Sequence, residues 1–155
     1  MNFHFSGLPL EPFRALFDLS DEELLAQGVR RYVADAKPGF PCRVTLEDAE
    51  PGEEVILLSY AHLPAEKSPY RAEGPIFVRQ SAVTSYGQDA IPPVLPGRLL
   101  SLRGYDENDL MIEAEVIEGR DLAAELGKLF RNEAVSYVHI HYARRGCFAC
   151  RVDRG

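Results

Sequence analysis

The chain contains no tryptophan, only two methionines and only three cysteines. An odd number of cysteines cannot form a fully paired disulfide framework and fits a reducing compartment better. A basic surplus is also missing: 17 Lys and Arg stand against 24 Asp and Glu, for a formal net charge of −7. Neutralising nucleic-acid phosphates requires the opposite balance, so nucleic acid is not an expected partner. No apolar run approaches the roughly 20 residues that span a bilayer, which argues against a membrane partner. The opening stretch MNFHFSGLPLEPF lacks the basic segment and long apolar run of an export signal. Together these absences predict a cytoplasmic protein. There is no internal repeat or low-complexity tract. The strongest break, IPPVLPGR at 91–98, is too short to separate domains. Nor is there a G-x-x-x-x-G-K-[ST] or G-x-G-x-x-G phosphate loop, or a G-x-S-x-G nucleophile elbow.

What is present is an ordinary globular composition, 46% hydrophobic and 26% charged over 155 residues. A chain of this size suits one domain over 1–155 and buries roughly 70% of its unfolded surface without disulfides or structural metal. LSDEELLAQG reads as a short helix, with Ser20 and Glu23 as a capping box and Gly28 as its stop. VRRYVAD, Cys42–Leu46, EVILLSYAH and GPIFVRQS read as strands. RLLSLRGY and LMIEAEVIEG flank the turn-rich DEND and form a hairpin. There Ile112, Ala114 and Val116 are expected on the inner face, opposite Glu113 and Glu115. RDLAAELGKLFRN follows as a helix with Leu122, Leu126, Leu129 and Phe130 on its inner stripe. The expected fold is α+β: a mainly antiparallel sheet of five to seven strands, two helices and a closing β-hairpin.

The tail, YVHIHYARRGCFACRVDRG at 137–155, is read more closely. ARRGC suggests a turn with Gly146 in the left-handed region, which would pair Ala143 with Cys147 and His141 with Ala149. Val138, Ile140, Tyr142, Phe148, Cys150 and Val152 then share an apolar face. His139, His141, Cys147, Arg151 and Asp153 share the other. In this register Cys150 is a core residue and the C-x-x-C spacing is no redox motif.

Three chemistries fit the polar face. His139 and His141, about 6.7 Å apart on one side of a strand, could share a divalent metal with His62 as third ligand; two histidines on a strand could equally be plain surface residues. Alternatively, Cys147 or Cys42 could be a catalytic thiolate with His141 or His62 as its base, although an inert thiol is the commoner fate of a free cysteine. Arg43 follows Cys42 and could favour its thiolate. Finally, the arginines near strand ends, Arg43, Arg71, Arg79, Arg103 and Arg151, could bind a small anionic ligand with the histidines. The bland reading is that they form weak surface ion pairs.

The segments PGFPCRVTLEDAEPGEEVILLSYAH, SPYRAEGPIFVR and VHIHYARRGCFACRVDR together resemble the bacterial family catalogued as domain of unknown function 1203. The resemblance extends over nearly the whole chain. It implies a stand-alone domain of about this length and brings no activity, cofactor or catalytic residue with it. It marks Cys42, Arg43, His62, Pro69, Tyr70, Arg71, Arg79, His139, His141, Gly146 and Cys147 as residues of the family segments. A fold that joined these segments would build one pocket from Cys42/Arg43, His62, Arg71/Arg79 and His139/His141/Cys147. The expected function is therefore small-molecule binding, with or without catalysis, at a His/Cys/Arg pocket. The alternative is an interaction or homodimerisation module that pairs an exposed edge strand or the tail hairpin. The last strand, ending at RVDRG, is expected at a sheet edge.

Overall fold

The computed structural model describes residues 1–155. Its strands are β1 (Phe3–Ser6), β2 (Arg30–Val33), β3 (Glu54–Leu63), β4 (Ala72–Arg79), β5 (Gly87–Gln88), β6 (Leu99–Tyr105), β7 (Met111–Glu118), β8 (Tyr137–Tyr142) and β9 (Phe148–Arg154). Its α-helices are the single turn α1 (Glu11–Arg14), α2 (Asp21–Ala26) and α3 (Leu122–Leu129), with 3-10 turns at Ala15–Asp18 and Gly119–Asp121. The strands form two antiparallel sheets, one ordered β5-β1-β9-β8-β6-β7 and the other β2-β3-β4. The expected α+β class and strand number hold for the large sheet. The small sheet is a separate layer, which periodicity alone does not reveal.

Local signals account for much of this. Ser20 Oγ accepts from the Glu23 amide (3.1 Å), and Glu23 Oε1 accepts from the Ser20 amide (3.3 Å). These reciprocal bonds close the capping box that starts α2. Gly28 ends the helix at φ 74°, a conformation that only glycine adopts without strain. Leu122, Leu126, Leu129 and Phe130 pack onto Leu100, Leu102, Val138, Ile140, Cys150 and Val152, so α3 covers one face of the large sheet. Ile56, Ile76 and Val78 of the small sheet pack with Leu24, Phe13, Cys42, Val44 and Phe148 in a second core.

Four expectations are corrected. Cys42–Leu46 is not a strand: Leu46 donates its amide back to the Cys42 carbonyl (3.0 Å) and sits at φ 54°. What remains is two isolated bridges, Pro41 to Asp48 and Cys42 to Phe77. On β7 the inner and outer faces are exchanged. Leu100 and Leu102 of β6 point at α3, and their partners are Ile117 and Glu115. Val116 and Ala114, paired with Ser101 and Arg103, fall on the opposite face. Val116 is 61% exposed, whereas Ile117 is buried. Third, β9 is not at an edge, because β1 pairs with it along Phe3–Ser6. FHFS is too short to stand out as a strand.

The fourth correction concerns the tail. Gly146 does take the left-handed region, at φ 80°. Ile140 pairs with Cys150 as the expected register requires, but His141 pairs with Phe148 and not Ala149, and the Tyr142 amide donates to the Cys147 carbonyl (2.9 Å). Ala149 is the extra residue of a β-bulge. It changes the strand's parity midway. Cys150 and Val152 stay in the α3 core, while Phe148 turns to the other face and joins the second core.

Candidate functional site

The second face of the large sheet carries Ser101, Arg103 and Tyr105 from β6 and Tyr137, His139 and His141 from β8. Register sets Arg103 directly beside His139 and Ser101 beside His141. β9 adds Arg151 beside His139 and Phe148 beside His141. The small sheet lies over this face and delivers His62, near the end of β3. Strand alternation and a two-layer stack therefore bring together histidines almost eighty residues apart in sequence.

His62 lies flat against Phe148, with ring centroids 5.1 Å apart and planes 9° from parallel. Its edge meets His141 at 5.0 Å and His139 at 6.1 Å between centroids. His139 also contacts Phe148 (5.0 Å), Tyr137 (5.1 Å) and Tyr105 (5.3 Å). His139 and His141 are 3% and 1% exposed, and His62 is half-buried at the layer's rim. The histidine face that sequence parity leaves open to solvent is thus enclosed.

The electrostatics follow from that enclosure. Burial first, then the neighbouring imidazoles and the Arg151 and Arg103 guanidiniums, push His139 down to about 3. Burial pushes His141 down to about 4 despite its backbone hydrogen bond to Gly146, and Arg103 works in the same direction. Burial and Arg103 lower His62 too. All three are neutral imidazoles near neutral pH. Each keeps one buried ring nitrogen without a partner: Nδ1 of His62, Nδ1 of His139 and Nε2 of His141. The tautomer of His141 follows from its contact. Its Nδ1 lies 2.9 Å from the Gly146 carbonyl, which can only accept, so Nδ1 carries the hydrogen and Nε2 holds a bare lone pair.

Arg103 is the cation of this layer. Its Nε donates to Ser101 Oγ (3.3 Å), and no carboxylate lies within ion-pair distance of it. Arg151 is paired with Asp153 (2.7 Å) and lies over the Tyr137 ring at 4.1 Å. The Tyr137 hydroxyl donates to Asp109 (2.5 Å). No group of three or more His, Cys, Asp or Glu side chains is set to hold a metal ion.

The other residues expected in this pocket divide. Arg43 is 2% exposed and is spent on structure. Its Nε donates to the Phe148 carbonyl (2.7 Å) and its Nη1 to the Pro41 carbonyl (2.6 Å). Its Nη2 reaches Cys147 Sγ at 3.1 Å. The thiol partner of Cys147 is therefore a guanidinium and not an imidazole. Cys42 is buried in the second core, and its Sγ accepts from the Arg79 amide (3.4 Å). Arg79 is committed to Glu53 (2.7 and 2.8 Å) and Glu47 (3.3 Å). Arg71 lines a separate surface cleft of about 410 Å³ with Ala61, Pro64, Glu66, Ala72 and Glu73. The structure thus brings His62, His139 and His141 together, sets Arg43 and Cys147 behind them, and leaves Cys42, Arg71 and Arg79 outside.

Sequence reasoning missed Tyr105, Tyr137 and Phe148, and it named Arg103 without giving it a place. The alternation of Leu100 and Leu102 with Ser101 and Arg103 carries the signal for Arg103. Phe148 is masked by the bulge.

A family model described as "Protein of unknown function (DUF1203)" matches residues 39–154. The match spans every residue of the histidine layer and stops short of β1, α1 and α2. No curated protein and no solved structure matches the chain. The chain belongs to the DUF1203 family, whose function is unknown.

Proposed function

We propose that the protein binds a small anion bearing an acidic hydrogen or hydroxyl at the rim of the histidine layer. What supports this reading is one coincidence: a guanidinium without a carboxylate, Arg103, stands beside three imidazoles that each keep an unpartnered buried nitrogen. An unpaired buried polar atom costs roughly 1–3 kcal/mol, so three in one place favour a ligand that satisfies them. Arg103 supplies the charge complement, and a guanidinium suits a planar or tetrahedral oxyanion. His141 asks for something different. Its Nε2 lone pair accepts a hydrogen, so a fully deprotonated anion leaves it unsatisfied. A monohydrogen phosphate or a 2-hydroxy acid meets both demands. The half-buried His62 and Arg103 provide the entrance.

The cationic surroundings set this against a divalent metal. Arg103 lowers all three imidazoles, and no free carboxylate offsets a cation there. The test is calorimetric titration with phosphate, sulfate, glycolate and acetate, beside elemental analysis of protein purified without chelator. Phosphate and glycolate should bind more tightly than sulfate and acetate, and Arg103→Gln should abolish the binding of both. Equal or absent binding of all four sinks the reading. Near-stoichiometric metal, lost in a His139→Ala/His141→Ala variant, replaces it with a metal site.

A further inference from the structure

β7 closes one side of the large sheet and has β6 as its only neighbour. It is eight residues long, longer than the other edge of this sheet, the two-residue β5. None of the backbone hydrogen bonds outside the sheet and helix ladders uses a group from residues 111–118. β4, equally long and also at an edge, is partly covered, because Arg43 donates its amide to the Phe77 carbonyl and Cys42 bridges Phe77. β7 carries no proline and no lysine, the usual guards of a free edge.

The two faces of β7 differ in kind. Ile112, Ala114 and Val116 form an exposed apolar row. The opposite face carries Glu113 and Glu115, and there a groove of about 610 Å³ runs between β7 and α3. Glu113, Glu115, Glu118, Asp121 and Glu125 line it, against a single cation, Lys128, that is already paired with Glu125. A second copy of this chain suits the middle of the edge poorly. A two-fold antiparallel pairing centred on Glu113, Ala114 or Glu115 sets a glutamate opposite a glutamate, which is destabilising.

We propose that β7 is a docking edge for an extended segment of another protein in which apolar residues alternate with Lys or Arg. The segment adds a strand to the sheet through the free backbone groups of β7. Its apolar residues continue the row of Ile112, Ala114 and Val116. Its cations lie over Glu113 and Glu115 at the mouth of the acidic groove. The proposal uses both faces of β7: Glu113 and Glu115 lie on the α3 side, and the apolar row lies on the side of Arg103, which pairs with Ala114.

The test uses the full chain and a synthetic peptide of alternating valine and lysine, roughly eight residues long to match a typical strand. A valine–glutamate peptide of the same length is the control. Hydrogen exchange should slow in residues 111–118 with the lysine peptide alone. A Glu113→Lys/Glu115→Lys variant, changed only at its surface, should bind the lysine peptide about tenfold more weakly or worse. The same variant should gain binding to the glutamate peptide. Protection elsewhere, or no exchange of preference in the variant, overturns the proposal. So does dimerisation of the wild-type chain through β7.

Discussion

Arg43 and Cys147 are 104 positions apart in sequence, yet the Arg43 guanidinium lies 3.1 Å from the Cys147 sulfur. No carboxylate offsets this buried cation. Cys147 is half-buried, whereas the other two cysteines are buried. Burial pushes the Cys150 thiol up to about 12.

The first prediction follows from that contrast. Iodoacetamide should alkylate Cys147 well before Cys42 or Cys150 in the folded protein. Peptide mass mapping at short times reads the order. Equal labelling of all three would mean that burial does not shield Cys42 and Cys150 from the reagent.

Acid should weaken the fold from an unusually high pH. An unfolded imidazole titrates near 6.5, whereas His139 and His141 are held at about 3 and about 4. Between those values the unfolded chain binds protons that the fold refuses, so stability is complete above pH 6.5 and falls as pH drops below it. Each unit of mismatch is worth about 1.4 kcal/mol per group. Urea midpoints at pH 7.5 and pH 5 should differ more for the wild type than for His139→Phe, whose ring suits the surrounding aromatic residues. An equal loss in both would assign the acid sensitivity elsewhere.

A second acid transition should appear at lower pH. Burial alone would raise Glu53, but hydrogen bonds from Arg79 and Ser81 outweigh it and hold the carboxylate down to about 2. Its stabilisation is present above the ordinary carboxylate value of 4.5 and is lost as pH falls toward 2. Glu53→Gln should cost roughly 1–3 kcal/mol at pH 7, in line with hydrogen bonds to charged groups. The difference from wild type should shrink between pH 4.5 and pH 3. A cost that does not change with pH would point to packing and not to charge.

Phe148→Ala should destabilise the chain by about 3–5 kcal/mol, the usual range for emptying a buried aromatic site. It should also free the His62 and His139 rings, both of which rest on Phe148. Chemical denaturation reads the first effect. The second appears as altered imidazole ring resonances in NMR spectra of the remaining fold. A stability loss with unchanged imidazole resonances would show that β3 and β8 hold the rings without Phe148.

Much of this was legible in the sequence, and what was not has identifiable causes. The capping box of α2, the inner stripe of α3, the β6–β7 hairpin and the core role of Cys150 all depend on residues within a few positions of one another. His62, His139 and His141 could be grouped from the family-like segments but not placed, because their proximity depends on one sheet lying over another. The failures were of phase. β7 reads as inward at Ile112, Ala114 and Val116, yet Leu100 and Leu102 on the neighbouring strand decide its orientation. Phe148 looks like a partner of Cys150 until the extra residue between them is counted. For Arg79 the bland alternative of an ion pair is the one observed, although nothing nearby in sequence announces Glu53 as its partner.

That extra residue, Ala149, has a consequence for which substitutions the strand can absorb. On either side of it the strand keeps its own alternation, so the two halves of β9 serve different layers under separate constraints. Changes at Phe148, which packs in the second core, alter the surroundings of the histidines without asking α3 to repack. Changes at Cys150 or Val152 retune the α3 core without disturbing the imidazoles. The bulge divides one strand into two independently adjustable parts, and removing a single alanine would couple them again.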